Sequence, residues 1–157
     1  YEELSEPMKD LCESVTALHD ALPHNRTDKM MVHPVIRVHP LTGQKALYVN
    51  EHFTRRIVEM NASESEMLLS YLTRWVQNPR FTVRYGWTAG TIGIWDNRCT
   101  QHMVLNDFEG ERIIHRVTIM GDRPEGTASP KYEPWARVGN KSDTSRQDRQ
   151  LKSYYRQ

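Results

Sequence analysis

One stretch of the sequence, RIIHRVTIM at residues 112–120, decides which kind of fold we expect for the chain. Its β-branched residues favour a strand, and the side chains of a strand point alternately to two opposite faces. Arg112 and Arg116 therefore share one face. The opposite face carries apolar residues and one histidine, namely Ile113, His115, Val117 and Ile119. The stretch predicts a strand with one largely apolar face and one face that bears two arginines.

Two interpretations of the arginine face follow from this alternation. In the first, the apolar face packs on the core, and Arg112 and Arg116 project into solvent. In the second, both faces are covered, as in a barrel whose interior holds a ligand. The two arginines would then lie roughly 13 Å apart along the strand, and each would need an anion because buried charges are paired. The second interpretation predicts a cavity for two anionic groups, and the spacing alone leaves both open.

The sequence around this stretch favours a β-rich architecture. Strand-like segments at 81–85, 91–95 and 101–105 precede it, and turn-forming residues separate one segment from the next. Short strands with turn signals between them are typical of an antiparallel barrel or a jelly roll. We therefore expect the strand at 112–120 to be one of several in such a sheet.

Two helices are expected before residue 80. Residues 5–20 and 63–77 carry apolar side chains at helical spacing. Ser63 and Glu66 form a capping-box pattern at the start of the second helix. The chain is therefore predicted to be mainly β with flanking helices, an α+β class.

A hairpin and a short strand are expected between the two helices. Residues 34–49 contain two strand-like runs around the turn cluster at 40–43, and residues 54–58 predict another short strand. The polar residues 24–31 predict no regular element. The helix at 63–77 is itself expected to pack on a sheet.

The composition excludes several classes of protein. The chain has 157 residues with a formal net charge of +1, so nothing in its overall charge favours nucleic acid or an anionic membrane as the partner. No apolar run is long enough to cross a bilayer. The two cysteines, Cys12 and Cys99, form no disulfide framework, which indicates a reducing compartment such as the cytoplasm.

His102 follows a turn at the start of a strand-like segment. A lone histidine is more often structural than a metal ligand, and no HExxH, zinc-finger, P-loop or GxSxG motif occurs in the chain. Local motifs therefore do not assemble a complete metal site.

Several long motifs resemble those of the taurine dioxygenase family, and the resemblance covers about residues 1–124. The motifs are WDNRCTQH at 95–102, ND at 106–107, RIIHRVTIMGD at 112–122, HPVIRVHP at 33–40, TG at 42–43, ALYVN at 46–50 and FTRRIV at 53–58. The resemblance implies part of a double-stranded β-helix, which is a variant of the jelly roll. It also implies an Fe(II)- and 2-oxoglutarate-dependent dioxygenase that uses O2.

The resemblance assigns roles to four residues. His102 would be one ligand of the iron, which the family holds with two histidines and one carboxylate. Arg112 would pair with the distal carboxylate of 2-oxoglutarate, Arg116 with the anionic group of the substrate, and Phe53 would line the substrate pocket. The HxD motif that carries the other two ligands does not occur in this chain. We therefore expect that the N-terminal half of the enzyme is absent from it.

Several functions remain open at this stage. The substrate implied by the resemblance is a small organosulfur anion, taurine or another alkylsulfonate, from which sulfite and an aldehyde would be released. Ala21 stands where the taurine pocket has an aromatic residue, so an alkylsulfatase or an aryloxyalkanoate dioxygenase is also considered. A catalytically incomplete polypeptide is the alternative from another class, and a homo-oligomer is an expected assembly. We expect the dioxygenase portion to span residues 1–124 and a flexible basic tail to span 125–157.

Overall fold

The computed structural model of the protein describes residues 1–127 and the backbone of 136–137, except for the side chains of residues 27 and 28. Its helices are α1 (Glu6–Glu13) and α2 (Ala62–Val76), and short 3-10 turns lie at Leu22–His24 and Pro79–Phe81. Its strands are β1 (Thr16–Ala21), β2 (Arg26–Pro34), β3 (Ile36–Val38), β4 (Lys45–Leu47), β5 (Thr54–Ile57) and β6 (Ala136–Arg137). The expected mixture of antiparallel sheet and flanking helices is confirmed.

A four-stranded antiparallel sheet forms the centre of the fold, in the order β5-β1-β2-β6. The predicted helix over 5–20 is therefore only half right, because it ends at Glu13 and β1 follows. Thr16, Ala17 and Leu18 are fully buried. A segment that is covered on both faces and paired on both edges forms a strand even where its apolar spacing also suits a helix.

Strand β2 lies where no regular element was expected. It pairs with β1 in a register that places Val32 opposite Leu18 and Met30 opposite Asp20. Leu18, Val32 and Val58 form a small buried cluster, and Met30 packs against it. Pairing with β1 therefore outweighs the polar composition of this segment.

The predicted hairpin is confirmed. Strands β3 and β4 pair antiparallel, with Ile36 opposite Leu47 and Val38 opposite Lys45. Gly43 has a φ of 71°, a left-handed conformation that suits glycine in the connecting turn. The predicted strand at 54–58 is also confirmed as β5.

Helix α2 covers the main core. Leu68 and Leu72 are buried with Cys12, Val15, Ala17, Val35, Ile36, Val49 and Ile57. The capping box of α2 consists of Asn61 and Glu64 rather than Ser63 and Glu66, so the predicted helix is confirmed but its cap was misplaced by two residues. The Ser65 hydroxyl accepts a 2.8 Å hydrogen bond from the Ile57 backbone N–H, which ties α2 to β5.

Residues 82–124 contain no regular strand in this structure. The strands expected at 81–85, 91–95, 101–105 and 112–120 are therefore absent, and their apolar side chains lie open, as the 93% exposure of Ile94 illustrates. A strand needs a neighbouring backbone to pair with, and none of the described residues provides a ladder for this segment. The strand propensity of the sequence alone is not sufficient.

A few contacts connect this extended segment to the sheet. The Val38 N–H donates to the Glu125 carbonyl at 2.8 Å, and the Gln101 side-chain amide donates to the Val49 carbonyl at 2.7 Å. The predicted tail at 125–157 lies mostly outside the described residues, so the boundary at 124 stays a prediction. In the part of the chain that the structure describes, no helix has the length and apolarity that crossing a bilayer requires.

Candidate functional site

The predicted metal ligand and the two predicted anion-binding arginines are all solvent-exposed in the structure. The His102 imidazole packs against the Trp95 ring, with 4.9 Å between ring centroids. The Arg112 guanidinium lies over the Phe108 ring at 5.5 Å. Arg116 makes no hydrogen bond or ion pair with any residue that the structure describes. Both guanidinium groups are thus open to an external anion.

Phe53, the predicted pocket residue, lies in a turn that its own neighbours fix. Its backbone N–H donates to the Asn50 side chain at 2.7 Å, and its carbonyl accepts from the Asp20 N–H at 3.0 Å. The ring contacts His52 and His24, with centroids 4.6 and 5.4 Å away. The result is a partly exposed aromatic patch beside the end of β1.

The structure does not bring these predicted site residues into contact with one another. Across residues 1–127, no hydrogen bond, ion pair or ring contact joins any two of His102, Arg112, Arg116 and Phe53. The second face of the 112–120 segment is not covered either, so the enclosed two-anion cavity is not formed among the described residues. The roles assigned to these four residues stay predictions.

The iron site can be tested against the surroundings of His102. No second imidazole and no carboxylate shares a potential metal-binding cluster with His102 among the residues described. A ferrous ion in this kind of site needs two imidazoles and a carboxylate. The residues present here therefore do not fit the iron by themselves.

A different cluster, His39, Asp96 and Cys99, has donor atoms within 4.8 Å of one another. The Nδ1 atom of His39 accepts hydrogen bonds from the backbone N–H groups of residues 41 and 42, so the proton resides on Nε2. Nε2 lies 3.1 Å from Asp96 Oδ2 and donates to it. Both ring nitrogens therefore already have hydrogen-bond partners, and this geometry does not suit a cation site. We call this hydrogen-bonded contact between His39 and Asp96, which joins two segments of the chain, the clip.

Arg98 completes this clip. Its guanidinium donates to both carboxylate oxygens of Asp96, at 2.7 to 3.0 Å, and also contacts Asp122 at 3.2 Å. These hydrogen bonds, first those from Arg98 and then the one from His39, hold the pKa of Asp96 well below its ordinary value. The clip joins the hairpin turn after β3 to the segment that leads to His102.

The sequence analysis missed a cluster of His19, His33, Arg37 and Tyr48, in which His19 and Arg37 are buried and the other two are partly buried. The His19 ring lies 5.2 Å from the His33 ring, and both rings contact Tyr48. The Arg37 guanidinium lies over the same Tyr48 ring at 5.2 Å. The available signal was charged or polar residues within apolar strands, of which His33 and Arg37 around Pro34, Val35 and Ile36 are examples.

Burial changes the titration of both histidines in this cluster. It lowers the pKa of His19 to about 3, with a further contribution from His33. It lowers the pKa of His33 to about 4, and the positive charges of Arg37 and Arg123 add to the effect. Both imidazoles are therefore neutral at neutral pH.

Comparison with known proteins places this chain in a family. The sequence profile described as "Taurine catabolism dioxygenase TauD, TfdA family" matches residues 1–118. The chain is 35% identical to an alpha-ketoglutarate-dependent sulfate ester dioxygenase of Pseudomonas putida, over 80% of this chain and 48% of that protein. It is also 35% identical to an alkylsulfatase of Acinetobacter baylyi, with 80% and 46% coverage. The chain belongs to the TauD/TfdA dioxygenase family, as its motifs predicted.

A solved structure supports the same assignment. The fold resembles the crystal structure of a taurine dioxygenase from Burkholderia xenovorans with a TM-score of 0.53 and 38% sequence identity. The match covers 57% of this chain and 32% of that one. The chain spans about half the length of the curated bacterial relatives it matches.

Proposed function

We propose that this chain is the portion of a 2-oxoglutarate-dependent dioxygenase that binds its two anionic reactants. The observation that carries the proposal is the pair Arg112 and Arg116, four residues apart in a chain of this family. Neither guanidinium is paired with a carboxylate among the described residues. A guanidinium fork matches carboxylate, sulfonate or sulfate oxygens, so two such groups suit a reaction between two anions.

The proposed roles follow the family pattern. Arg112 binds the distal carboxylate of 2-oxoglutarate, and Arg116 binds the anionic group of the substrate and so fixes which carbon is presented for oxidation. Phe53 contributes apolar surface to the substrate pocket. His102 provides one ligand to Fe(II), which would supply the oxidative chemistry with O2, and the remaining ligands come from outside this chain.

The proposed substrate is a sulfate ester or an alkylsulfonate. The relatives carry both kinds of name. The Pseudomonas putida relative is named a sulfate ester dioxygenase, and a protein of Saccharomyces cerevisiae that is 33% identical over 79% of this chain is named a sulfonate dioxygenase. Taurine is the less favoured sulfonate, because Ala21 stands where the taurine pocket of the family has an aromatic residue, and alanine fills less space. A larger alkyl group would use that space.

The extended segment is proposed to complete the jelly roll in the whole enzyme. Residues 82–120 combine strand propensity with exposed apolar side chains, and Val83 and Val117 are more than 90% exposed. The matched relatives are about twice as long as the matched part of this chain. Backbones from the remainder of such a protein would supply the missing ladders and cover the apolar face.

The experiment uses the polypeptide encoded by the full reading frame that contains this chain. Taurine, longer alkylsulfonates, alkyl sulfates and an aryloxyalkanoate are each supplied with Fe(II), 2-oxoglutarate and O2. Release of sulfite or sulfate with stoichiometric succinate supports the proposal and distinguishes the two sulfur classes. Turnover of the aryloxyalkanoate alone would replace the organosulfur assignment, and the absence of any coupled turnover would contradict the enzyme proposal.

A further inference from the structure

Two buried polar atoms in the cluster of His19, His33, Arg37 and Tyr48 have no hydrogen-bond partner among the described residues. They are His19 Nε2 and Arg37 Nε, and no described atom satisfies either of them. The exposed fractions of these two residues are only 9% and 4%. Buried polar groups are nearly always paired, so two orphans around one tyrosine ring indicate a missing partner.

The hydrogen-bond network identifies His19 Nε2 as a donor. The Thr54 hydroxyl accepts a 2.9 Å hydrogen bond from the Asn50 N–H and lies 3.2 Å from His19 Nδ1. Among the described residues the hydroxyl proton has His19 Nδ1 as its one acceptor, so we assign this proton to that contact and place the imidazole proton on Nε2. The Nε–H of Arg37 is always a donor. The missing partner is therefore an acceptor.

The charge of the cluster indicates that the acceptor is anionic. Arg37 carries a buried positive charge, and its only hydrogen bond in the described part of the chain goes from Nη2 to the Asp122 carbonyl at 3.3 Å. The Tyr48 ring and one carbonyl offset only part of the cost of burying a guanidinium. Both histidines are neutral, so the buried charge to be balanced is a single one.

We propose that Arg37 and His19, beside the Tyr48 ring, bind one monoanionic oxyanion group such as a carboxylate. A single water could satisfy one donor or bridge two, but it would leave the guanidinium charge unbalanced. The site is separate from Arg112 and Arg116, so it does not depend on the proposed catalytic roles. The oxyanion has two sources with the same chemistry, a free small anion or a carboxylate side chain from the rest of the polypeptide.

The test follows the two donor groups directly by NMR. The ¹⁵N-labelled chain is titrated with sodium formate at constant ionic strength, with chloride as the matched salt. We expect saturable shifts of the Arg37 Nε–H and His19 Nε2–H signals with formate and none with chloride. Shifts with both salts alike, or no saturable shift with formate, would overturn the proposal.

Variants and a longer polypeptide separate the remaining outcomes. Arg37→Lys keeps the charge but removes the Nε donor, and should weaken formate binding roughly 10- to 100-fold, as expected for the loss of a charge-assisted hydrogen bond. Arg55→Lys, on β5 and in an ion pair with Asp20 of β1, is the control and should leave binding unchanged. The same titration of the full-reading-frame polypeptide gives the source, because a resident carboxylate would abolish the response whereas a free-anion site would keep it.

Discussion

Acidification should destabilise the folded chain through the buried imidazole of His19. In the unfolded chain this imidazole has a pKa near 6.5, and in the fold the pKa falls to about 3 because the ring is buried. Below pH 6.5 the imidazole therefore binds a proton in the unfolded state but stays neutral in the folded state. The contribution of His19 to stability is complete above pH 6.5 and is lost progressively as the pH falls toward 3.

The expected size follows from the width of this window. One histidine that is protonated only in the unfolded state costs about 1.4 kcal/mol of stability per pH unit. Between pH 6.5 and 4.5 the loss is about 2 to 3 kcal/mol from His19 alone. Other groups titrate in the same range, so the quantity to compare is the difference between the wild type and a variant that lacks this imidazole.

Urea unfolding at a series of pH values measures the effect. His19→Asn keeps an acceptor near the Thr54 hydroxyl but cannot titrate, so its free energy of unfolding should fall less steeply below pH 6.5 than that of the wild type. His24→Asn removes an exposed imidazole and should leave the slope unchanged. Equal slopes in the wild type and His19→Asn would refute the assignment of a buried neutral imidazole.

Two further predictions concern the attachment and the start of α2. Ser65→Ala leaves the buried Ile57 N–H without its acceptor and should lower the free energy of unfolding by about 1 to 3 kcal/mol. Ser70→Ala, on the exposed face of the helix, should have little effect. Equal losses in the two variants would mean that the Ser65 hydrogen bond does not tie the helix to the sheet. Asn61→Ala removes the N-cap and should lower the free energy of unfolding by about 1 kcal/mol, and Ser63→Ala should lower it clearly less. The reverse order would mean that Ser63 is the N-cap, as the sequence predicted. Urea denaturation measures both pairs.

Local sequence signals predicted the local elements of this fold. The hairpin of β3 and β4 was predictable because its turn chemistry lies within a few residues, and α2 was predictable from its apolar spacing. Its cap was ambiguous because Asn61 with Glu64 and Ser63 with Glu66 match the same pattern. The structure begins the helix at the first pair, and that register brings the Ser65 hydroxyl to the Ile57 N–H.

Elements that depend on distant partners were not predictable from their own residues. Strand β1 was taken for the end of a helix because its spacing suits both structures, and only the flanking strands β2 and β5 decide between them. The 112–120 stretch shows the opposite case, since it has strand propensity but no ladder partner in the described chain. Tertiary pairing outweighs local propensity in both cases.

The residues of the candidate site fall into the same two groups, those found from local sequence and those that distant segments bring together. His102, Arg112 and Arg116 were found through long contiguous motifs, and the arginines also had an argument of their own from the two-residue period of a strand. The cluster of His19 and Arg37 was not found because β1, β2, β3 and the residues after β4 each supply one member. No spacing within a single segment reveals such a cluster.

The most direct test of the central proposal separates substrate binding from cosubstrate turnover. In the full-reading-frame polypeptide, Arg116→Ala should lower kcat/KM for the sulfate ester or alkylsulfonate about 10- to 100-fold, the loss expected when a charge-assisted pair is removed. Uncoupled 2-oxoglutarate turnover should persist in this variant, whereas Arg112→Ala should lower both reactions. Arg80→Ala, in an exposed ion pair with Glu3, is the control. Equal loss of both reactions in Arg116→Ala, or no loss of either, would contradict the proposal that Arg116 binds the anionic group of the substrate.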